Sequence, residues 1–226
     1  MVDGKNVEPM ATSQDHKRLL DDDKGPNTGG MGAYSPAPVV TPDVYERAMN
    51  EIILPTVAGM KAEGHEFTDF LYAGLMIDKT GAPYTIEFNC RFGDPETQPI
   101  MSRLDSDLVD LVEAAIDSKL DSVSAEWNPQ TAVGVVLAAQ NYPDSPKKGD
   151  VIFGLDKANQ TGKVFHAGTA TNEKGEVVTN GGRVLCVVGL GDDVAQAKSK
   201  DYEALETIHF DGMQYRKDIA DKAINR

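Results

Sequence analysis

The sequence has little cysteine: Cys90 and Cys186 are the only two in 226 residues. Two thiols so far apart exclude a disulfide framework, a zinc ribbon and a paired redox motif, and they suit a reducing, cytoplasmic setting. Positive charge is also scarce, with 22 Lys and Arg against 36 Asp and Glu and a net charge of -14. Such a balance excludes a chain whose main task is to coat nucleic acid or an anionic membrane. No apolar run approaches the about 18 residues that span a bilayer, and the N-terminus has no signal-peptide pattern. His16, His65, His166 and His209 lack zinc-ligand spacing. Ser35 lacks a nucleophile-elbow setting, which argues against a serine hydrolase.

What is present suits a buried core, since 40% of the residues are hydrophobic, enough for one large or two small domains. Asp3-Gly4 is a two-residue hairpin signal with Val7 to Met10 returning. Only Met1 and Val2 precede the turn, so the chain is expected to begin inside a strand of a longer protein. Residues 11–38 read as a long functional or disordered loop containing Gly25-Pro26-Asn27-Thr28-Gly29-Gly30-Met31-Gly32. Thr41-Pro42-Asp43 opens a helix toward Gly64, and Pro55 predicts a kink or two helical pieces.

Paired strands are expected at 70–77 and 84–88 around the turn Asp78-Lys79-Thr80-Gly81. Leu104, Leu108, Leu111, Val112, Ala115, Ile116 and Leu120 then keep helical spacing. Residues 121–131 are polar and mark a domain boundary. Beyond them come short strands at 132–139, 150–153, 164–171, 176–179 and 183–189. An amphipathic helix over 194–208 and a polar helical tail from Arg216 complete the reading.

Residues two apart on a strand share a face, so Glu87, Asn89 and Arg91 point one way and Cys90 points toward the core. A carboxylate and an amide oxygen side by side suit hard magnesium, and a guanidinium beyond them suits a phosphoryl group. Spacing alone equally allows a solvated strand face. Asp94 and Glu96 in Gly93-Asp94-Pro95-Glu96 are either acceptors for a substrate amine or members of a plain turn. The Gly29-Gly30-Met31 loop lets backbone amides approach an anion, but it is not a Walker P-loop, because no Gly-Lys-Ser/Thr follows. Asp15-His16-Lys17-Arg18 places three potential cations and one acid just upstream. His166 reads as a packed core histidine. Arg183, after Thr179-Asn180-Gly181-Gly182, is either a phosphate contact or an exposed arginine past a hairpin turn.

The segments 13–18, 25–34, 86–99 and 179–187 together resemble the glycinamide ribonucleotide synthetase family of the ATP-grasp superfamily. The resemblance covers essentially the whole chain. It implies an α+β fold: the C-terminal lobe of an ATP-grasp fold, an antiparallel sheet with helices, over 1–123, then a small β-rich C-terminal domain over 130–226. It implies ATP-dependent joining of glycine to 5-phosphoribosylamine through glycyl phosphate, with magnesium, or manganese in its place, in de novo purine synthesis. Glu87 and Asn89 match the family's metal ligands, and Arg91 matches the arginine on the transferred phosphoryl group. Lys17 and Arg183 fall in the nucleotide and phosphate region, and Asp15, Gly29, Gly30, Met31, Asp94 and Glu96 in the substrate region. The strand Ala73-Gly74-Leu75-Met76 lacks the further carboxylate common in the superfamily, which leaves a second metal's ligands open. The family's upstream lobes supply the rest of the site, so the 226-residue chain is expected to be silent alone. Another ATP-grasp carboxylate–amine ligase, and a nucleotide-sensing or assembly module, are the competing readings.

Overall fold

A computed structural model describes residues 1–225 as two compact units. The units do not follow one cut in the sequence. The first comprises residues 1–12, 37–93 and 104–128; the second comprises residues 13–36, 94–103 and 129 onward. The change of unit at 128/129 lies in the polar stretch flagged above, but two upstream segments belong with the C-terminal half.

In the first unit the turn centres on Gly4-Lys5, one residue later than expected, with Gly4 at φ 93°. The Asp3 amide donates to the Asn6 carbonyl, Val2 makes an isolated bridge to Val7, and no returning strand forms over residues 7–10. The Asp3 carboxylate accepts from the Asn6 amide at 2.7 Å and from the Leu120 amide at 3.0 Å. Burial pushes its pKa up, but these donors and the Lys5 amide outweigh it and hold the group at about 2. Val2–Asp3 pairs antiparallel with Thr68–Asp69. Thr41 caps the helix Pro42–Arg47 by accepting from the Val44 amide. The coil widens into a π-helical stretch, Ala48–Ile53, before continuing as Leu54–Ala62. Pro55 has no amide to give the preceding turn, which accounts for the break.

The strands Tyr72–Ile77 and Pro83–Asn89 form the expected antiparallel hairpin, with Gly74 opposite Glu87 and Tyr72 opposite Asn89. The later helix is shorter than its apolar spacing predicts. It runs Leu108–Ile116 from an Asp107 cap and is followed by Ser118 in left-handed backbone at φ 56°. Leu104 and Leu120 still join its core with Leu111, Ala115 and Met1, from outside the helix.

The second unit is built on a five-stranded antiparallel sheet in the order Lys163–His166, Arg183–Gly191, Thr131–Ala138, Gly32–Ser35, Gln14–Asp15. Thr131–Ala138 is buried along its whole length, so it reads as a continuous apolar run rather than an alternating one. The helix Val194–Leu205 lies against the sheet. Gly189 and Gly191 permit that approach: a Cβ on Gly189 would lie 2.5 Å from the Ala197 carbonyl oxygen.

Several expectations for this unit are corrected. Residues 11–38 hold four short strands; Gly32–Ser35 is fully buried, and its Gly-Ala-Tyr-Ser sequence carries no alternation to announce a strand. Residues 150–153 make only isolated bridges, Val151 to Val178 and Phe153 to His209. The tail from Arg216 is not a long helix; one turn, Asp221–Ile224, forms. Arg216 itself is fully buried. Its guanidinium meets Asp23 at 3.0 Å, Asp218 at 2.6 Å and the Arg18 carbonyl at 3.2 Å, tying the C-terminal segment to the hairpin Arg18–Leu20/Lys24–Asn27.

Candidate active site

In the first unit, the end of Pro83–Asn89 sets Glu87, Asn89 and Arg91 side by side. The Asn89 amide donates to Glu87 Oε1 at 3.2 Å, and Arg91 Nη2 donates to Asn89 Oδ1 at 3.4 Å. Arg91 Nη1 also donates to the Phe92 carbonyl at 2.8 Å, turning the guanidinium back along the chain. Glu87 and Arg91 are exposed, so the row is open to a ligand. Gly74, across from Glu87, carries no side chain; a Cβ there would lie 3.3 Å from Glu87 Cγ.

The donor set bears on magnesium. A carboxylate and an amide oxygen, both hard oxygens, suit an ion that leaves several positions to water and phosphate. Among the described residues no three acidic, histidine or cysteine side chains gather as a metal cluster. The opposite face of the strand departs from expectation. Cys90 is exposed, not core-facing, because pairing ends at Asn89. Ile86 on that face is 65% exposed.

The second unit gathers the other candidates. Arg183 leaves its strand and donates through Nη1 to the carbonyl oxygens of Gly29, at 2.9 Å, and Asp94, at 2.8 Å. Its Nη2 meets Asp94 Oδ2 at 2.9 Å. The guanidinium therefore fastens two loops. Glu96 is buried at the head of the helix Thr97–Met101, where its carbonyl accepts the Ile100 amide. Lys17 pairs with Asp15.

The glycine loop also differs from its sequence reading as an amide cradle. The Gly29 amide donates to the Tyr142 hydroxyl at 2.9 Å, the Gly30 amide to Thr28 Oγ1 at 3.0 Å, and the Met31 amide to the His16 carbonyl at 2.8 Å. All three amides are engaged inside the chain. Met31 is buried, as loop packing requires. Tyr142 carries no signal of its own: it sits in a turn between Asn141 and Pro143, and only the fold brings it to Gly29.

The histidines exchange places. His166 is exposed, whereas His16 is 1% exposed, edge-on to Tyr34 with ring centroids 5.8 Å apart. Burial, with Arg216 and Lys222 nearby, lowers the His16 pKa to about 4, so the expected trio of cations at 16–18 contains two. Among the described residues no helix is long and apolar enough to cross a membrane.

Comparison with known proteins gives this geometry a family. Residues 1–97 match the phosphoribosylglycinamide synthetase ATP-grasp (A) domain, and residues 132–222 match the C domain of the same synthetase. The chain is 87% identical over 226 residues to a phosphoribosylamine–glycine ligase of Neisseria meningitidis serogroup B, covering all of this chain and 53% of that protein. The crystal structure of phosphoribosylamine–glycine ligase from Thermotoga maritima aligns with a TM-score of 0.87 at 40% identity, over 97% of this chain and 54% of that one. An L-amino acid ligase of Bacillus licheniformis, at 17% identity and a TM-score of 0.59 over 92% of this chain and 51% of that chain, shares the fold alone. The chain spans about half the length of the curated relatives it matches. With both domain models matched in order over most of its length, the chain belongs to the phosphoribosylglycinamide synthetase family of ATP-grasp proteins.

Proposed function

We propose that this chain provides the metal-binding and substrate-binding elements of a cytoplasmic phosphoribosylamine–glycine ligase acting in de novo purine synthesis. The reaction joins glycine to 5-phosphoribosylamine at the expense of ATP. The observation that carries the reading is the row Glu87, Asn89, Arg91 on one strand end, in a chain so close to a ligase of that name.

A glycine carboxylate oxygen bonds to the γ-phosphorus of ATP as the bond to ADP breaks, giving glycyl phosphate. The ribosylamine nitrogen then attacks the acyl carbon, phosphate leaves with the carbon–oxygen pair, and the nitrogen gives up a proton. Such chemistry depends chiefly on positioning and on charge held in place. Arg91 offers its guanidinium to the phosphoryl oxygens in flight. Glu87 and Asn89 would hold magnesium, which when bound neutralises phosphate charge. Asp94, fixed by Arg183 yet exposed at its carboxylate, is suited to the cationic amine. Arg183 holds Asp94 and Gly29 in register, and Lys17 offers an ammonium to a phosphate.

ADP release measured in a ligase of the relatives' full length carrying this chain tests the reading. Release that requires both glycine and 5-phosphoribosylamine is the expected result, with the 226-residue chain silent alone. Release that ignores glycine, or that follows another amino acid, would overturn it.

A further inference from the structure

If the amides of Gly29, Gly30 and Met31 all donate within the chain, the glycine loop must reach a ligand through another group. Tyr142 is that group. Its hydroxyl oxygen accepts the Gly29 amide, and a phenol that accepts one hydrogen bond still has its own proton to donate. The ring is held in place. A Cβ on Gly182 would lie 2.4 Å from Tyr142 Cδ2, so the phenol packs on bare backbone immediately before Arg183. The Tyr142 amide donates to the Ala139 carbonyl at 3.1 Å, and the Ala139 amide to the Gly182 carbonyl at 2.8 Å. The tyrosine thus packs just past the adjoining ends of two neighbouring strands, half-buried, with its hydroxyl on the loop.

The charges tied to the same loop indicate the ligand. Thr28, one residue before Gly29, donates its amide to the Lys17 carbonyl at 2.8 Å. Gly29 shares Arg183 with the Asp94 carboxylate. A neutral hydroxyl donor on the same loop as the Arg183 guanidinium and the Asp94 carboxylate suits a polyhydroxylated ligand bearing an anion and an amine.

We propose that Tyr142 is a further substrate-binding residue, relaying the Gly29 amide through its hydroxyl to an oxygen of the sugar-phosphate amine. This rests on the ligase reading above. It assigns to a side chain from the β-rich half the contact that the glycine-loop sequence suggests for backbone amides.

Two measurements test it. In the 226-residue chain labelled with 3-fluorotyrosine, the Tyr142 resonance is assigned by its loss in Tyr142→Phe. Ribose 5-phosphate should move that resonance saturably. In the full-length ligase, Tyr142→Phe should raise the KM for 5-phosphoribosylamine about tenfold, the scale of one lost hydrogen bond. KM for ATP and glycine, and the unfolding midpoint, should stay unchanged. A merely structural tyrosine would instead move the midpoint and all three KM values together, and that result overturns the proposal. An unmoved fluorine resonance, or an unchanged amine KM, overturns it as well. Should the unsubstituted ligase make no glycinamide ribonucleotide, the ligase reading fails on its own, and the ribose 5-phosphate titration still decides Tyr142.

Discussion

Gly29 and Arg183, 154 positions apart in sequence, occupy the same space: the guanidinium donates to the Gly29 carbonyl at 2.9 Å and also fills the volume a Gly29 side chain would need. A Cβ there would lie 2.9 Å from Arg183 Cζ. The neighbour Gly30 is held differently, at φ 122° with its Cβ position 2.4 Å from Pro95 Cδ. One obstacle is the mobile end of a long side chain, and the other is a proline ring met from strained backbone.

Gly30→Ala should therefore cost stability by about 1–3 kcal/mol, the range for a residue forced into disfavoured backbone. Gly29→Ala should lower the unfolding midpoint less, because Arg183 can swing away, though its contact with Asp94 breaks. Thermal unfolding ranks the two variants, and arginine side-chain NMR reports the release of Arg183. If Gly29→Ala is the more damaging change, the guanidinium is not the yielding element.

Arg216→Met should be severe. The arginine is fully buried against Asp23 and Asp218; removing it leaves Asp218 without its cation and Asp23 with Lys222 alone. Losing one partner of a buried ion pair costs about 3–5 kcal/mol. Denaturant unfolding checks the value. A loss under about 1 kcal/mol would show that the carboxylates find solvent instead.

Stability should fall in mild acid through His16. Its folded pKa, about 4, lies below the ordinary histidine value of 6.5, so the unfolded chain binds the proton first. The stabilising contribution is complete above pH 6.5 and is lost as pH drops toward 4, with a slope of at most about 1.4 kcal/mol per pH unit. His16→Phe, which keeps a ring against Tyr34, should flatten that part of the stability–pH curve. An unchanged slope in that variant would assign the acid sensitivity to other groups.

Arg91→Ala in the full-length ligase should reduce kcat by about 100- to 1,000-fold, the cost of losing one charge-stabilising donor. Circular dichroism should be unchanged, since Arg91 is exposed and bonds only its near neighbours. Glu87→Gln should move the magnesium dependence of the rate to higher concentration. A rate and metal dependence left intact by both variants would remove this strand end from the mechanism.

Local chemistry made much of the molecule legible. The turn at Gly4 (to within one residue), the Thr41 cap, the Pro55 break and the hairpin bearing Glu87 and Asn89 all depend on residues a few positions apart. Alternation on a strand was sufficient to put Glu87 and Asn89 in one row, whereas Arg91, past the strand end, joins them by reaching back to Asn89 Oδ1. It failed for Cys90, which lies just past the last paired residue, and for Gly32–Ser35, which is buried on both faces and so has no polar side to mark its period.

By itself, then, the sequence determined the short-range elements, the acidic charge balance and the ordered motifs of one ligase family. Only the tertiary structure decided that residues 13–36 build onto the C-terminal sheet, that His16 is buried and uncharged, that Arg183 fastens Gly29 to Asp94, and that the Gly29 amide belongs to Tyr142. The last two outcomes turn on contacts between residues 89 to 154 positions apart. A periodic pattern reports which way a side chain points from its own backbone, whereas a hydrogen-bond partner is chosen by whatever the rest of the fold brings within reach.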